Sequence, residues 1–222
     1  MAPPYPWMKD VKHLGNILQC DNTFSRDCDI KRGQFIGKVH SLLQELHFAS
    51  PAFIMKMYFI YCSTFYASSL WNLFGVSCER IYAAWNTACR IAFNVPRTTH
   101  RYLIETISGC VHPKVFLSSR FVKYHLILIN CNKSPIRLLA NVSKNDLRTV
   151  YGSNLHNISV ECDTPVDKLN PCTVKATMEY FKTPVGEEWR HNVLKELLDD
   201  TVEIYGLERT EKHQFINFLC TT

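Results

Sequence analysis

The chain has 222 residues, of which 46% are hydrophobic and 20% charged, and its formal net charge is +5. Disorder of the whole chain is excluded, because this length and apolar content can bury a substantial core. Residues 1–129 carry 14 Lys and Arg against 7 Asp and Glu, whereas residues 130–222 carry 11 against 13. Any affinity for a polyanion is therefore expected in the first part, although so small a difference is also common among soluble proteins.

Residues 11–18 (VKHLGNIL) predict one short β-strand, in which Gly15 allows another backbone to approach closely. A first helix is expected from about residue 29 to 47, where apolar residues recur at helical spacing. Lys31 and Lys38 flank this apolar stripe, whereas Arg32 falls within it. A side chain that extends its charge to solvent near the helix start also accounts for Arg32.

A second helix is predicted to begin at Ser50-Pro51 and to end near Leu73. Its apolar residues cover both faces, which is typical of a helix buried in the middle of a bundle. Residues 57–76 carry no charge and are long enough to cross a bilayer, so a membrane span is the alternative. Five Ser, Thr and Asn residues within this stretch favour the buried helix, and no membrane partner is expected.

A third helix is predicted between Ser77 and Val95-Pro96, with an inner stripe that includes Trp85. Three antiparallel helices in about 70 residues predict a small bundle. Further helices are expected at 101–108, 112–131, 134–142, 173–182, 186–205 and 210–220. Residues 144–172, with scattered Gly, Asn, Pro and Asp, are interpreted as a joint. The predicted fold is therefore mainly α, a helical bundle followed by C-terminal helices, with a short N-terminal β-strand.

Five segments between residues 13 and 109 resemble, in order and spacing, the end of the reverse transcriptase domain of LINE-type (non-LTR) retrotransposons, of the jockey-like and chicken-repeat-like group. The segments are HLGNIL (13–18), DIKRGQFIGKV (29–39), FYASSLWNL (65–73), CERIYAAWNTACRIAFNVP (78–96) and THRYLIETISG (99–109). The family has Tyr-Leu-Gly where this chain has His13-Leu14-Gly15, and Tyr-Gly where it has Tyr66-Ala67.

The resemblance implies three regions: a palm-edge strand and linker at 1–27, a thumb-like helical bundle at 28–109 and a C-terminal helical extension at 110–222. It also implies that Leu14 and Gly15 lie near a primer grip and that Lys31, Arg32 and Lys38 face the nucleic acid. Two further basic groups consist of Arg97, His100 and Arg101, and of Arg120 and Lys123. A rigid bundle that offers cations to phosphates holds a duplex without reading its sequence, so an RNA/DNA duplex is the expected partner.

Catalysis is not expected, because the metal-binding aspartates of this family precede the Leu-Gly segment. Leu198-Asp199-Asp200 is interpreted as a solvated acidic helix face. The ten cysteines include no Cys-x-x-Cys pair, and no motif for hydrolysis, metal binding or phosphate binding occurs. No cofactor, metal or small-molecule substrate is therefore expected, and the start of the chain shows no apolar signal-peptide core, which favours an intracellular location with reduced thiols.

Two alternatives remain open. The chain is a translated transposon fragment without a molecular function, or it is a helical interaction module recruited by a host, with the acidic 186–205 helix as its docking surface. The tyrosines at 58, 61 and 66 and Phe65 can stack on bases in principle, but core packing is the better interpretation for most of them. Likewise, His40 and His47 are expected to face solvent and not to bind a metal.

Overall fold

The structure is a computed structural model that describes residues 9–20, 24–49, 51–93, 95–99, 104 and 111–178. It is mainly helical, with a two-stranded antiparallel sheet near the N-terminus, as the sequence predicts for the fold class. The strands are β1 (Asp10–His13) and β2 (Asn16–Gln19). The α-helices are α1 (Ser25–Glu45), α2 (Pro51–Met57), α3 (Val76–Ala92), α4 (Pro113–Ile129), α5 (Ser134–Ser143), α6 (Val150–Glu161) and α7 (Pro171–Met178).

The predicted single strand at 11–18 is wrong, because the chain reverses in its middle. Asp10 pairs with Gln19 and His13 with Asn16, so the segment is a β-hairpin. Leu14 has φ 46° and Gly15 has φ 80°, and two residues with positive φ are what a tight type I′ hairpin turn requires. Leucine rarely adopts this conformation, which is why the sequence pattern favoured a continuous strand.

The second predicted helix is correct only in its first part. After α2, the helix continues as one π-helical turn (Tyr58–Cys62) and ends there, eleven residues before Leu73. The Ser63 hydroxyl donates to the Phe59 carbonyl, which is how serine side chains compete with helical hydrogen bonding. Ile60 and Tyr61 are exposed, so the expectation of a helix buried on all sides is also wrong. In the part of the chain that the structure describes, no helix could span a membrane.

The helical bundle is held by an aromatic cluster between α1, the π-helical turn and α3. The rings of Phe35 and Trp85 stack with centroids 5.8 Å apart, and the Tyr58 ring meets Trp85 edge-on at 4.9 Å. Tyr58 and Phe65 are buried as core residues, whereas Tyr61 and Tyr66 are exposed. Such aromatic pairs add to the stabilisation that burial of their area provides.

The remaining helices pack around α4. This helix contacts α3, α5 and α7, and its Leu117 and Phe121 belong to the same buried cluster as the aromatic residues of α1 and α3. The predicted helices at 112–131 and 134–142 are confirmed as α4 and α5, and α7 confirms the start of the one at 173–182. Those at 101–108, 186–205 and 210–220 lie outside the described residues, and the division at residues 27 and 109 stays a prediction.

The interpretation of residues 144–172 as a joint missed helix α6. Thr149 caps this helix by accepting from the Gly152 amide at 3.0 Å. A Cβ at Gly152 would lie 2.3 Å from the Asp146 carbonyl oxygen, so the close approach of the preceding turn requires glycine here. Asn154 is fully buried and joins α6 to the loop before α3: its side chain accepts from the Leu73 amide at 3.0 Å and donates to the Trp71 carbonyl at 2.8 Å.

Candidate nucleic-acid interface

The hairpin is fixed to the N-terminal turn of α1. The Gln19 side-chain oxygen accepts from the Arg26 amide at 2.8 Å, which satisfies one of the amide groups left open at a helix start. Arg26 also forms an ion pair with Asp10 at the beginning of β1. Both ends of the hairpin are therefore held against the same turn of helix.

Asp27 is the buried anchor of this arrangement, with 2% of its surface exposed. Its Oδ1 accepts from the Ile17 amide in β2 at 3.0 Å, and its Oδ2 accepts from the Trp71 indole at 2.9 Å. Because hydrogen bonds to an ionised carboxylate are strong, one side chain positions the hairpin, α1 and the Trp71 loop relative to each other.

The hairpin tip and Lys31 of α1 form one surface. The Lys31 ammonium donates to the Gly15 carbonyl oxygen at 3.1 Å. Leu14 projects from the same turn with 74% of its surface exposed. The structure thus brings Gly15 into contact with Lys31 of the predicted basic row of α1, and Leu14 lies beside Gly15 in the same turn.

Arg32 lies in a groove of about 340 Å³ between α1 and α3, which is also lined by His40 and Arg80. Asp29 lies 3.8 Å from the Arg32 guanidinium and 3.7 Å from that of Arg80, so one carboxylate is shared by two cations. The Arg32 Nε makes no hydrogen bond to the described residues. Arg80 was missed by the sequence analysis, because its proximity to Arg32 depends on how α1 packs on α3.

Lys38 lies seven residues after Lys31, about two turns further along α1. Its ammonium is 3.2 Å from the Thr64 hydroxyl and 5.6 Å from the centroid of the exposed Tyr61 ring. A cation beside an exposed aromatic ring is a combination found where proteins bind unpaired nucleotides. Both His40 and His47 are exposed, as expected.

The second predicted basic group is only partly described. Arg97 is exposed, while His100 and Arg101 lie outside the described residues. The segment that carries Arg97 is held by Arg90 of α3, whose Nε and Nη2 donate to the Thr99 carbonyl at 3.1 and 2.8 Å. Arg90 is therefore a positioning residue that the sequence analysis did not identify.

The third group belongs to a larger basic stretch. Residues 106–145 contain six Lys and Arg and no Asp or Glu. The sequence analysis identified only Arg120 and Lys123 of this stretch, although its charge is visible in the sequence. The Arg120 guanidinium lies 4.3 Å from the Phe116 ring centroid, and partial burial lowers its pKa. Lys123 is exposed. No hydrogen bond or ion pair among the described residues connects Arg120 or Lys123 with Lys31 or Lys38.

Three titratable groups, His125, Tyr151 and Cys28, have pKa values shifted in favour of their neutral forms. Burial lowers the pKa of His125, with Lys144 adding to the effect and Asp167 opposing it, and the His125 Nδ1 lies 2.6 Å from the Tyr151 hydroxyl. Burial raises the pKa of Tyr151 to about 12. A hydrogen bond with the Cys78 thiol, together with burial, raises the pKa of Cys28. Among the described residues, no group of three or more His, Cys, Asp and Glu side chains could hold a metal ion.

Comparison of the chain with protein-family models, with curated proteins and with solved structures gives no match.

Proposed function

We propose that this chain is the thumb and following region of a LINE-type reverse transcriptase, and that its role is to hold a template–primer duplex and not to catalyse polymerisation. The observation that carries the proposal is the contact between the Lys31 ammonium and the Gly15 carbonyl oxygen at 3.1 Å. It joins the Leu-Gly turn and the basic face of α1, two features that the resemblance assigns to the same nucleic acid, into one continuous surface.

The backbone at Ala67 gives the resemblance further support. Ala67 has φ 60°, in the left-handed region that favours glycine. Glycine is the residue that the family has at the corresponding position, after the tyrosine that matches Tyr66. The loop therefore has a conformation suited to the family's residue and not to the alanine that this chain carries.

The spacing of the cations suits a sugar–phosphate backbone. Lys31 and Lys38 are seven residues apart on α1, which corresponds to roughly 10 Å along the helix axis. One strand of a duplex presents a phosphate about every 3.4 Å along its axis, so this distance covers about three phosphates. Because such contacts reach no base edges, binding is expected to show little sequence preference.

The test is binding of the full chain to an RNA–DNA duplex, measured by fluorescence anisotropy over a range of salt concentrations. Three phosphate contacts predict a slope of log K against log salt of roughly −2 to −3. The variant Lys31→Ala/Arg32→Ala/Lys38→Ala should bind at least tenfold more weakly and flatten this slope.

A control variant removes the same number of charges elsewhere: Lys133→Ala/Lys168→Ala/Lys175→Ala, all exposed positions outside α1. It should retain most of the affinity. Equal losses in both variants would show that only net charge matters, and absence of binding by the unmodified chain at low salt would refute the proposed function.

A further inference from the structure

Helix α5 exposes most of its apolar side chains. In this helix only Ala140 is buried, whereas Leu138, Leu139 and Val142 are 65%, 68% and 66% exposed. At 100° per residue these three side chains fall within one arc of about 100° on the helix surface. This set is called the α5 apolar stripe below. A contiguous apolar surface of this kind marks a site of interaction.

Two further apolar side chains, on elements next to α5 in the chain or packed against it, are also exposed. Leu147, in the turn after α5, is 57% exposed, and Ile127, on the helix α4 against which α5 packs, is 59% exposed. The stretch 106–145 that contains α4 and α5 carries six cations and no carboxylate of its own, and two of these cations, Lys114 and Lys144, are paired with Glu161 and Asp167. Lys133 and Arg137 are exposed and have no ion-pair partner among the described residues. A partner that fits this face has an apolar stripe with acidic residues beside it.

Residues 186–205 of the same chain have this composition. Trp189, Val193, Leu197 and Ile204 recur at helical spacing, and the segment holds six carboxylates and two cations. Its charge is thus opposite to that of the α4–α5 stretch. Twenty residues in a helix extend about 30 Å, more than the roughly 15 Å of the ten-residue α5, so such a helix can cover the whole stripe.

The connection between the two is long enough. The described part of the chain ends with α7 at Met178, and α7 packs against α4, as α5 does. The chain from Met178 to the start of the proposed helix at residue 186 can extend about 27 Å, and the 17 residues of α4 are about 25 Å long. Residues 186–205 can therefore reach α5 from either end of α4.

We propose that residues 186–205 form an amphipathic helix that docks on the α5 apolar stripe, with its carboxylates facing the cations of α4 and α5. The first consequence is that these carboxylates neutralise the cations of α4 and α5, which weakens the binding of phosphates to this stretch. The docking does not depend on the proposed function. Its second consequence rests on the proposed function: in the intact chain, a duplex binds at α1 and not at α4–α5.

Hydrogen–deuterium exchange of the full chain tests the docking from both sides. The variant Trp189→Ala/Leu197→Ala should speed exchange of the α5 amides at least tenfold and leave the amides of α1 and α3 unchanged. Conversely, Leu138→Gln/Val142→Gln should speed exchange within residues 186–205. The matched control is Val160→Gln, an equally exposed apolar residue on α6, which should change neither.

Unchanged α5 exchange in the Trp189→Ala/Leu197→Ala variant would overturn the proposal. So would a concentration-dependent dimer in sedimentation velocity that Leu138→Gln/Val142→Gln abolishes and Trp189→Ala/Leu197→Ala leaves intact, because the stripe would then be covered by a second copy. Duplex binding is measured separately: tighter binding by the undocked variant supports the second consequence, and unchanged binding removes that consequence while the docking result stands.

Discussion

Replacing Asp27 by alanine is expected to destabilise the fold by about 3 kcal/mol. The substitution leaves the Trp71 indole without its acceptor at a fully buried position, which costs roughly 1–3 kcal/mol. The Ile17 amide also loses its partner, but Ile17 is only half-buried, so water replaces part of that hydrogen bond. Removal of a buried charge offsets a fraction of the loss. The measurement is urea unfolding of the full chain followed by circular dichroism.

The matched control for this substitution is Asp29→Asn, two residues along the same helix. Asp29 is partly exposed and faces its two arginines at 3.7 and 3.8 Å, so its loss should cost less than about 0.5 kcal/mol. The Asp27→Ala variant should also speed hydrogen exchange at the Ile17 amide. If the free energy of unfolding of Asp27→Ala lies within about 1 kcal/mol of that of the unmodified protein, the carboxylate does not anchor the hairpin as described.

Gly152→Ala should destabilise by roughly 1–3 kcal/mol, because its Cβ would meet a backbone oxygen at 2.3 Å, whereas Gly33→Ala, with open space around it in the middle of α1, should stabilise by about 0.5–1 kcal/mol in the same assay. The lowered pKa of His125 predicts that stability falls as the pH drops below about 6.5, because the histidine of the unfolded chain binds a proton at a higher pH than the folded one does. His125→Gln should flatten this pH dependence in urea titrations. The raised pKa of Tyr151, about 12, predicts the opposite limit: stability falls as the pH rises from about 10 towards 12, because the unfolded phenol releases its proton first, and Tyr151→Phe should remove this loss. Equal unfolding energies of the two glycine variants, or unchanged pH profiles in the two side-chain variants, would contradict these assignments.

The sequence was sufficient for helices whose apolar residues recur regularly over several turns. Helices α1, α3, α4 and α5 lie where their patterns predict them, because burial of one face determines both the pattern and the helix. The hairpin was missed for a local reason: only Gly15 of its two turn residues favours a positive φ. Helix α6 was missed for a tertiary reason. Gly152 and Asn154 are required by their contacts with other elements, and both residues weaken the sequence pattern by which a helix is predicted.

The same distinction applies to the candidate site. Lys31 and Lys38 are positioned by their spacing on a single helix, which the sequence contains directly. The relation of Arg32 to Arg80 depends on the packing of two helices and on the carboxylate of Asp29 between them. Contacts of this kind join residues far apart in the chain, and a pattern within one segment carries no information about them.

The position of Trp71 has a mechanical consequence. Its indole is bound to the Asp27 carboxylate, which holds strand β2, and its carbonyl oxygen is bound to the Asn154 amide of α6. A displacement of the hairpin tip is thus transmitted through two hydrogen bonds and one rigid ring to a helix more than a hundred residues further along the chain. Strand β2 is thereby coupled to the interior of the bundle, so a force applied to this strand is shared by α1, the Trp71 loop and α6.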